Sequence, residues 1–329
     1  MFFDALSWSA LALLIVCSTI LLSSVETTAS NLVLVDQIKS FSFMSDRSSP
    51  SHNPYREFNS FVNGLVVPTY VSVYIKSVFN EEASYFTLCY LRDLVAGTLV
   101  YWITAGLWHV AIYHVFVDKI FTRKKRPLPT SATILDQMLL SQMSMFIYAG
   151  LPVISEWLIE NKLTKVYFYV DEVGGWAFYG VYFVLYIALV EFGIYWMHRT
   201  LHENKFLFKY VHKLHHKYSS PLTLTPWASI AFNPLDGILQ ASPYVFFLFF
   251  VPVHYFTHVF MLFFSGVWAT NIHDAVSGDS EPIMGAKYHT IHHTHYHYNY
   301  GQFFTFWDSY YGTLKLPSAA SDPVDKTKK

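Results

Sequence analysis

The chain's 329 residues set 22 basic against 23 acidic side chains, a formal net charge of −1. Charged residues make up 14%, against roughly 25% in an ordinary soluble domain, while 53% are hydrophobic and mean hydropathy is +0.29. That balance excludes a disordered chain, which combines low hydrophobicity with high net charge, and a nucleic-acid binder, which needs a basic surplus. Cys17 and Cys89 alone cannot build a disulfide scaffold. The composition is that of an integral membrane protein.

In chain order, Ala5 to Ser24 is the first apolar run, long enough to cross ~30 Å of hydrocarbon at ~1.5 Å per residue. Its leading segment carries Asp4 and no Lys or Arg, so it reads as a signal anchor rather than a cleaved leader. Val25 to Pro54 is rich in Ser and Thr and reads as a loop. Val62 to Phe79 is apolar but holds Gly64, Pro68 and Lys76, which predicts an interfacial or re-entrant segment. Leu94 to Val117 predicts a membrane helix. It runs into Asp118-Lys119 and the cluster Arg123-Lys124-Lys125-Arg126, which the positive-inside rule places in the cytosol. Met138 to Ile159, interrupted by Gln142 and Pro152, and Gly175 to Met197 predict two further spans, with Asn161 to Glu172 a lumenal loop between them.

Ile238 to Thr270 is too long for one span and is broken by Pro243, Pro252 and His254. Histidine clusters flank it, and they can serve one site only from the same membrane face. The run is therefore expected to form a hairpin of two short helices turning near Pro252. The expected fold is an all-α integral membrane protein of about four transmembrane helices plus that hairpin, capped by a cytosolic histidine-rich helical metal site. Residues 1–85 would form the signal anchor and a lumenal or interfacial segment, residues 86–316 the membrane domain, and residues 317–329 a polar cytosolic tail.

Thirteen of the 16 histidines lie between His198 and His297. Three boxes stand out: His198-Arg-Thr-Leu-His202, His212-Lys-Leu-His215-His216 and His289-Thr-Ile-His292-His293. Spacings of three and four residues put imidazoles on one helical face, with Cβ atoms ~5–6 Å apart, close enough to share a metal at ~2.0–2.1 Å. One such pair is usually just two polar side chains on a helix. Three boxes with eight histidines point to metal binding. His198 and His216 would stand ~27 Å apart on one straight helix, so the chain must break around His202 to Lys205. Imidazole suits zinc, copper, iron and nickel alike, but eight or nine ligands are too many for one zinc and suit two ions. Acidic residues near the boxes are few, chiefly Glu191, Glu203, Asp236 and Asp274. A di-iron centre that uses dioxygen is the preferred reading.

The stretch Glu191-Phe-Gly-Ile-Tyr-Trp-Met-His198-Arg-Thr-Leu-His202 with His212-Lys-Leu-His215-His216 resembles the fatty acid hydroxylase superfamily. Asn271-Ile-His273-Asp274, the third box and Asn299-Tyr-Gly-Gln302 are similar to the sterol C-5 desaturases, or lathosterol oxidases. The resemblance covers about Leu91 to Leu316. It implies an enzyme of the endoplasmic reticulum membrane, with its boxes on the cytosolic face, that introduces the 5,6 double bond into a Δ7-sterol. It also implies two iron ions, dioxygen as co-substrate, and electrons from NAD(P)H through cytochrome b5 and its reductase. The box histidines carry over as catalytic metal ligands: His198, His202, His212, His215, His216, His289, His292 and His293. His273 matches a further family histidine and counts as a ninth.

The chain departs from the family at Asn233-Pro-Leu-Asp236-Gly, where the family usually begins with histidine. His295 and His297 are surplus to the pattern and read as surface residues or supports of the ligands; His254, His258, His109 and His114 read as structural polar residues. Lys205, Lys209, Lys213 and Lys217 recur every four residues beside the boxes. Snorkelling to lipid phosphates accounts for them; the sharper reading is a docking surface for an acidic electron donor. A sterol or fatty-acyl hydroxylase of the same superfamily would share the boxes. A zinc transporter would place its ligands near the bilayer midplane, whereas here the boxes begin where the spans end. An inactive or scaffolding paralogue rests on Asn233 alone.

Overall fold

The computed structural model describes residues 52–122, 127–220, 223–274 and 281–317. The Ala5–Ser24 span, the Arg123–Arg126 cluster and the end of the tail lie outside the described residues. The chain divides at Val95 into two compact units.

In the first unit, helix α1 (Pro54–Val66) starts at Asn53, whose side chain accepts from the Arg56 backbone N–H at 3.2 Å, a helix cap at the place the sequence favours one. Pro68 forces Val67 into an extended conformation and separates α1 from α2 (Thr69–Val78). The predicted interfacial segment is thus two helices. On α2, Ile75 is buried while Tyr70, Val73, Tyr74 and Val78 are exposed. Helix α3 (Glu81–Val110) begins 13 residues before the expected span. Arg92 and Asp93 interrupt the apolar run in sequence, but the Arg92 guanidinium donates to Asp93 Oδ1 and to Asn59 Oδ1, each at 3.0 Å. A buried charge answered in this way does not break a helix.

Three stretches of helix are long and apolar enough to cross a membrane: Glu81–Val115, Ser131–Glu160 and Trp176–Glu203. The protein is an all-α membrane protein. The second stretch is two helices, α4 (Ser131–Tyr148) and α5 (Gly150–Glu160), interrupted at Ala149. Pro152 sits in the first turn of α5, where a missing N–H costs nothing. The polar residues of α4 have partners. Gln142 Oε1 accepts from Trp102 Nε1 at 2.8 Å; Ser141 and Ser144 donate to the carbonyls of Trp227 and Phe232. Those carbonyls belong to the buried connection after the second box, whose backbone polar groups need partners in the absence of water.

Helix α6 (Trp176–Glu203) continues past the predicted end at Met197 and carries the first box on its last turns. Asn204 then turns extended, and its side chain accepts from the N–H groups of Phe206 and Leu207 to start the short helix α7 (Lys205–Leu207). A widened turn, Phe208–His212, and a tight one, His215–Lys217, follow. Helices α8 (Pro234–Phe246) and α9 (Tyr255–Ile272) form the expected hairpin. Its turn pairs Val253–His254 (β2) in parallel with Val166–Tyr167 (β1), in the loop between α5 and α6. Gly193 lets α6 and α8 close: a Cβ there would stand 2.8 Å from Pro243 Cβ and 3.0 Å from the Phe247 ring. Helices α10 (Ala286–His295) and α11 (Phe306–Tyr310) complete the unit.

Candidate metal centre

Four separate pieces of chain deliver the nine predicted histidines to one place. Helix α6 brings His198 and His202, the two turns after it bring His212, His215 and His216, the end of α9 brings His273, and α10 brings His289, His292 and His293. None is more than 8% exposed. Eight of them form two quartets: His198, His202, His212 and His292, then His215, His273, His289 and His293. The boxes therefore do not map one to a metal. The second box sends His212 to one quartet and His215 to the other, and the third box divides likewise. His216 belongs to neither quartet, yet its Nε2 lies 3.1 Å from those of both His202 and His212.

Hydrogen bonds on the outer nitrogens settle which nitrogen points inward. Nδ1 of His198 and of His292 lies 2.9 Å from the carbonyls of Tyr300 and Tyr298, and that of His273 lies 2.7 Å from the Ala269 carbonyl. Nδ1 of His212 lies 2.9 Å from Asp236 Oδ2, both side chains being fully buried. A carbonyl only accepts, so Nδ1 carries the proton and Nε2 of a neutral ring is bare. His198 Nε2 is buried with no protein partner.

The Nε2 atoms within each quartet face one another. His202 and His212 Nε2 are 2.8 Å apart, His202 and His292 3.2 Å, His273 and His289 3.1 Å, and His289 and His293 3.0 Å. Where two bare nitrogens meet at such distances their lone pairs repel, and a shared proton or a cation between them is what relieves this. Protons are disfavoured in that role. Burial first, and then neighbouring imidazoles, push His215, His216, His289, His292 and His293 well below the ordinary imidazole range. Burial brings His273 down to about 4. Neutral imidazoles with their outer N–H groups anchored are the form in which histidine binds metals. The donor set fits two metal ions.

The fatty acid hydroxylase family model matches residues 183–313, a stretch that holds all nine histidines. A protein of Arabidopsis thaliana is 41% identical over 82% of this chain and 94% of its own length. The Delta(7)-sterol-C5(6)-desaturase of Nicotiana tabacum is 40% identical over 83% of this chain and 96% of its own length. The chain belongs to the sterol C-5 desaturase family. It is an oxidoreductase. The Delta(7)-sterol 5(6)-desaturase of Eremothecium gossypii is a more distant relative, 33% identical over 77% of this chain and 67% of its own. The 270 residues shared with the Arabidopsis thaliana protein exceed the Leu91–Leu316 stretch on which the motifs rest. No solved structure matches the chain.

The histidines this enzyme keeps out of the quartets have other partners. His258, buried, lies 3.0 Å from Ser155 Oγ and 3.3 Å from the Tyr186 hydroxyl. His109 accepts from Trp227 Nε1 at 3.2 Å, with the His114 ring 5.5 Å away. The His254 ring lies against Tyr167 and Tyr179. His295 contacts Thr294, and His297 is exposed. Asn233 caps α8, accepting from the Leu235 N–H at 2.9 Å, and its amide donates to the Tyr210 carbonyl in the turn that carries His212. Two carboxylates that sequence reasoning left without a role, Glu191 and Asp308, are buried beside the first quartet. Glu191 lies two turns before His198 on the same helix face, and that spacing was a usable signal. Asp308 sits in a run of aromatics and had none.

A surface pocket of about 740 Å³ reaches the centre. His202, His216 and Phe208 line it together with Tyr296, His297 and the side chains of Lys209, Lys213 and Lys217. Lys217 is paired with Asp136 at 2.5 Å.

Proposed function

We propose that this protein is a di-iron sterol desaturase of the endoplasmic reticulum membrane that introduces the 5,6 double bond into a Δ7-sterol, using dioxygen. Electrons would come from NAD(P)H through cytochrome b5 and its reductase. In net terms the sterol loses two hydrogens. With two donor electrons and two protons, these reduce one dioxygen to two waters. The observation that carries the reading is the pair of buried imidazole quartets at the end of a membrane-crossing helix; the names of the relatives point to the same chemistry.

Two iron ions held by the quartets would supply the oxidant that takes hydrogen from an unactivated C–H bond. The chain's own residues prepare for this. Anchored Nδ1 groups keep His198, His212, His273 and His292 in the ligating tautomer. The sterol, insoluble in water, enters from the bilayer. The first box sits on the last turns of α6 rather than at the middle of a span, which favours surface chemistry over metal transport. The positive-inside rule puts this end of the molecule in the cytosol, where a soluble donor domain would meet it at the lysine-lined pocket.

The test is expression in a cell that lacks C-5 sterol desaturation, with sterols read by mass spectrometry and ultraviolet absorption. A 5,7-diene with its characteristic fine structure is expected. A sterol alcohol in its place would make the protein a hydroxylase, and anaerobically purified protein free of iron would sink the di-iron reading.

A further inference from the structure

Residues 298–304 form the backbone against which two ligands of the first quartet are set. The Tyr298 carbonyl holds His292 Nδ1 and the Tyr300 carbonyl holds His198 Nδ1, each at 2.9 Å. These two histidines come from different helices, α10 and α6, so the segment fixes one imidazole relative to the other. It is itself held by two carboxylates that make no hydrogen bond to a histidine of either quartet among the described residues. Asp308, 0% exposed, accepts from the N–H groups of Tyr300 and Gly301, both at 2.8 Å, and from Thr313 Oγ1 at 2.7 Å. Glu191, 2% exposed, accepts from the N–H of Phe303 at 2.8 Å and of Phe304 at 3.3 Å.

Four amides in five residues are thus spent on two buried carboxylates. Their geometry depends on oxygen at every accepting position, since each amide N–H needs an acceptor. Gly301 is needed for the approach: a Cβ would stand 3.1 Å from Asp308 Oδ2 and would collide with the Phe304 carbonyl. The second quartet is supported differently. His273 leans on its own helix through Ala269, and the outer nitrogens of His289 and His293 are buried without a protein partner. No hydrogen bond joins this quartet to the 298–304 segment among the described residues.

We propose that Asp308 and Glu191 are positioning residues for the first quartet alone, acting through the backbone of residues 298–304 on His198 and His292. The inference rests on the two-metal reading above and assigns the two sites different supports. Replacing a group that orients a metal-bound histidine typically costs 10–100-fold in metal affinity, and here the loss falls on one ion of two.

The experiment compares full-length wild type, Asp308→Asn and Glu191→Gln, purified in detergent and reconstituted with cobalt(II). Metal per chain is counted by mass spectrometry on the monodisperse fraction, and the cobalt absorption spectrum is recorded. His198→Ala and His289→Ala serve as references for a lost first or second site. Wild type is expected to hold about two ions and each carboxylate variant about one, with wild-type helical signal and a residual spectrum matching His198→Ala. Two ions retained in both variants would overturn the inference. So would loss of both ions, or loss of the fold in both variants, since either makes the carboxylates general structural groups. A wild-type chain that binds no metal would overturn the proposed function and this inference with it.

Discussion

The two quartets differ in what their outer nitrogens hold, and single residues account for the difference. In the first, Tyr300, Asp236 and Tyr298 take the Nδ1 protons of His198, His212 and His292; in the second, only His273 has such a partner. Spacing announced the ligands but not this division, because three- and four-residue steps place side chains on one face and say nothing of what faces them. His215 and His216 are adjacent in sequence and part company in space for that reason. Asn233, which stands where the family usually has histidine, is a helix cap that also tethers the turn bearing His212, work an amide does without titrating. Burial of so many imidazoles has a consequence for metal-free protein. His273 is held at about 4 by burial, against an ordinary value near 6.5. Between those values the unfolded chain binds the proton and the folded chain does not. Stability is therefore full above pH ~6.5 and falls as pH drops toward 4, by on the order of 3 kcal/mol for this residue alone. The other lowered histidines act in the same direction. Thermal unfolding of chelator-treated protein in detergent should show a midpoint that declines steadily from pH 7 to pH 4.5. A flat midpoint would mean that the rings are solvated once the metals are gone.

Helices carry that geometry to the site, and their packing is as exact as their glycines allow. Hydropathy located the spans because lipid-facing side chains dominate them, and α6 leaves Trp176, Phe178, Val181 and Val184 exposed for that purpose. It misplaced the ends. Glu81 starts α3 well before Leu94 because Arg92 and Asp93 neutralise each other, a pairing that a residue-by-residue scale counts as two penalties. It also read α4 and α5 as one span, since the interruption at Ala149 carries no polar residue. The contact of α6 with α8 was invisible too, although it is a tight one. At Gly193 a methyl group would meet the stiff Pro243 ring at 2.8–3.1 Å. Alanine there regains about 1 kcal/mol of helix propensity but incurs an overpacking cost of about 1–3 kcal/mol. Gly193→Ala should lower the thermal midpoint slightly and Gly193→Val, with more bulk and no propensity gain, markedly. His198 lies five residues further along α6, so metal content should fall along with the midpoint. A valine variant as stable as wild type would show that the two helices can separate freely.

For the whole molecule the distribution of charge matters more than its sum. A net charge of −1 conceals a mouth lined by Lys209, Lys213 and Lys217 that leads from the surface to His202 and His216. These lysines are exposed on the turns between the boxes, where lipid phosphates and a soluble acidic partner are the two readings to separate. Lys217 already has Asp136, which leaves Lys209 and Lys213 as the pair to test. Steering of this kind changes association rates by roughly 10–10³-fold and weakens steeply with salt. The double variant Lys209→Glu/Lys213→Glu should therefore raise the apparent KM for reduced cytochrome b5 by about tenfold or more at low ionic strength. The gap should close as the screening length shrinks from ~10 Å at 0.1 M to ~3 Å at 1 M salt. Metal content, measured on the same preparation, separates a docking effect from damage to the nearby ligands: it should match wild type. An unchanged KM at low salt would remove the donor from this face. The lysines would then be free for phosphate headgroups, and the variant should instead bind anionic vesicles less tightly.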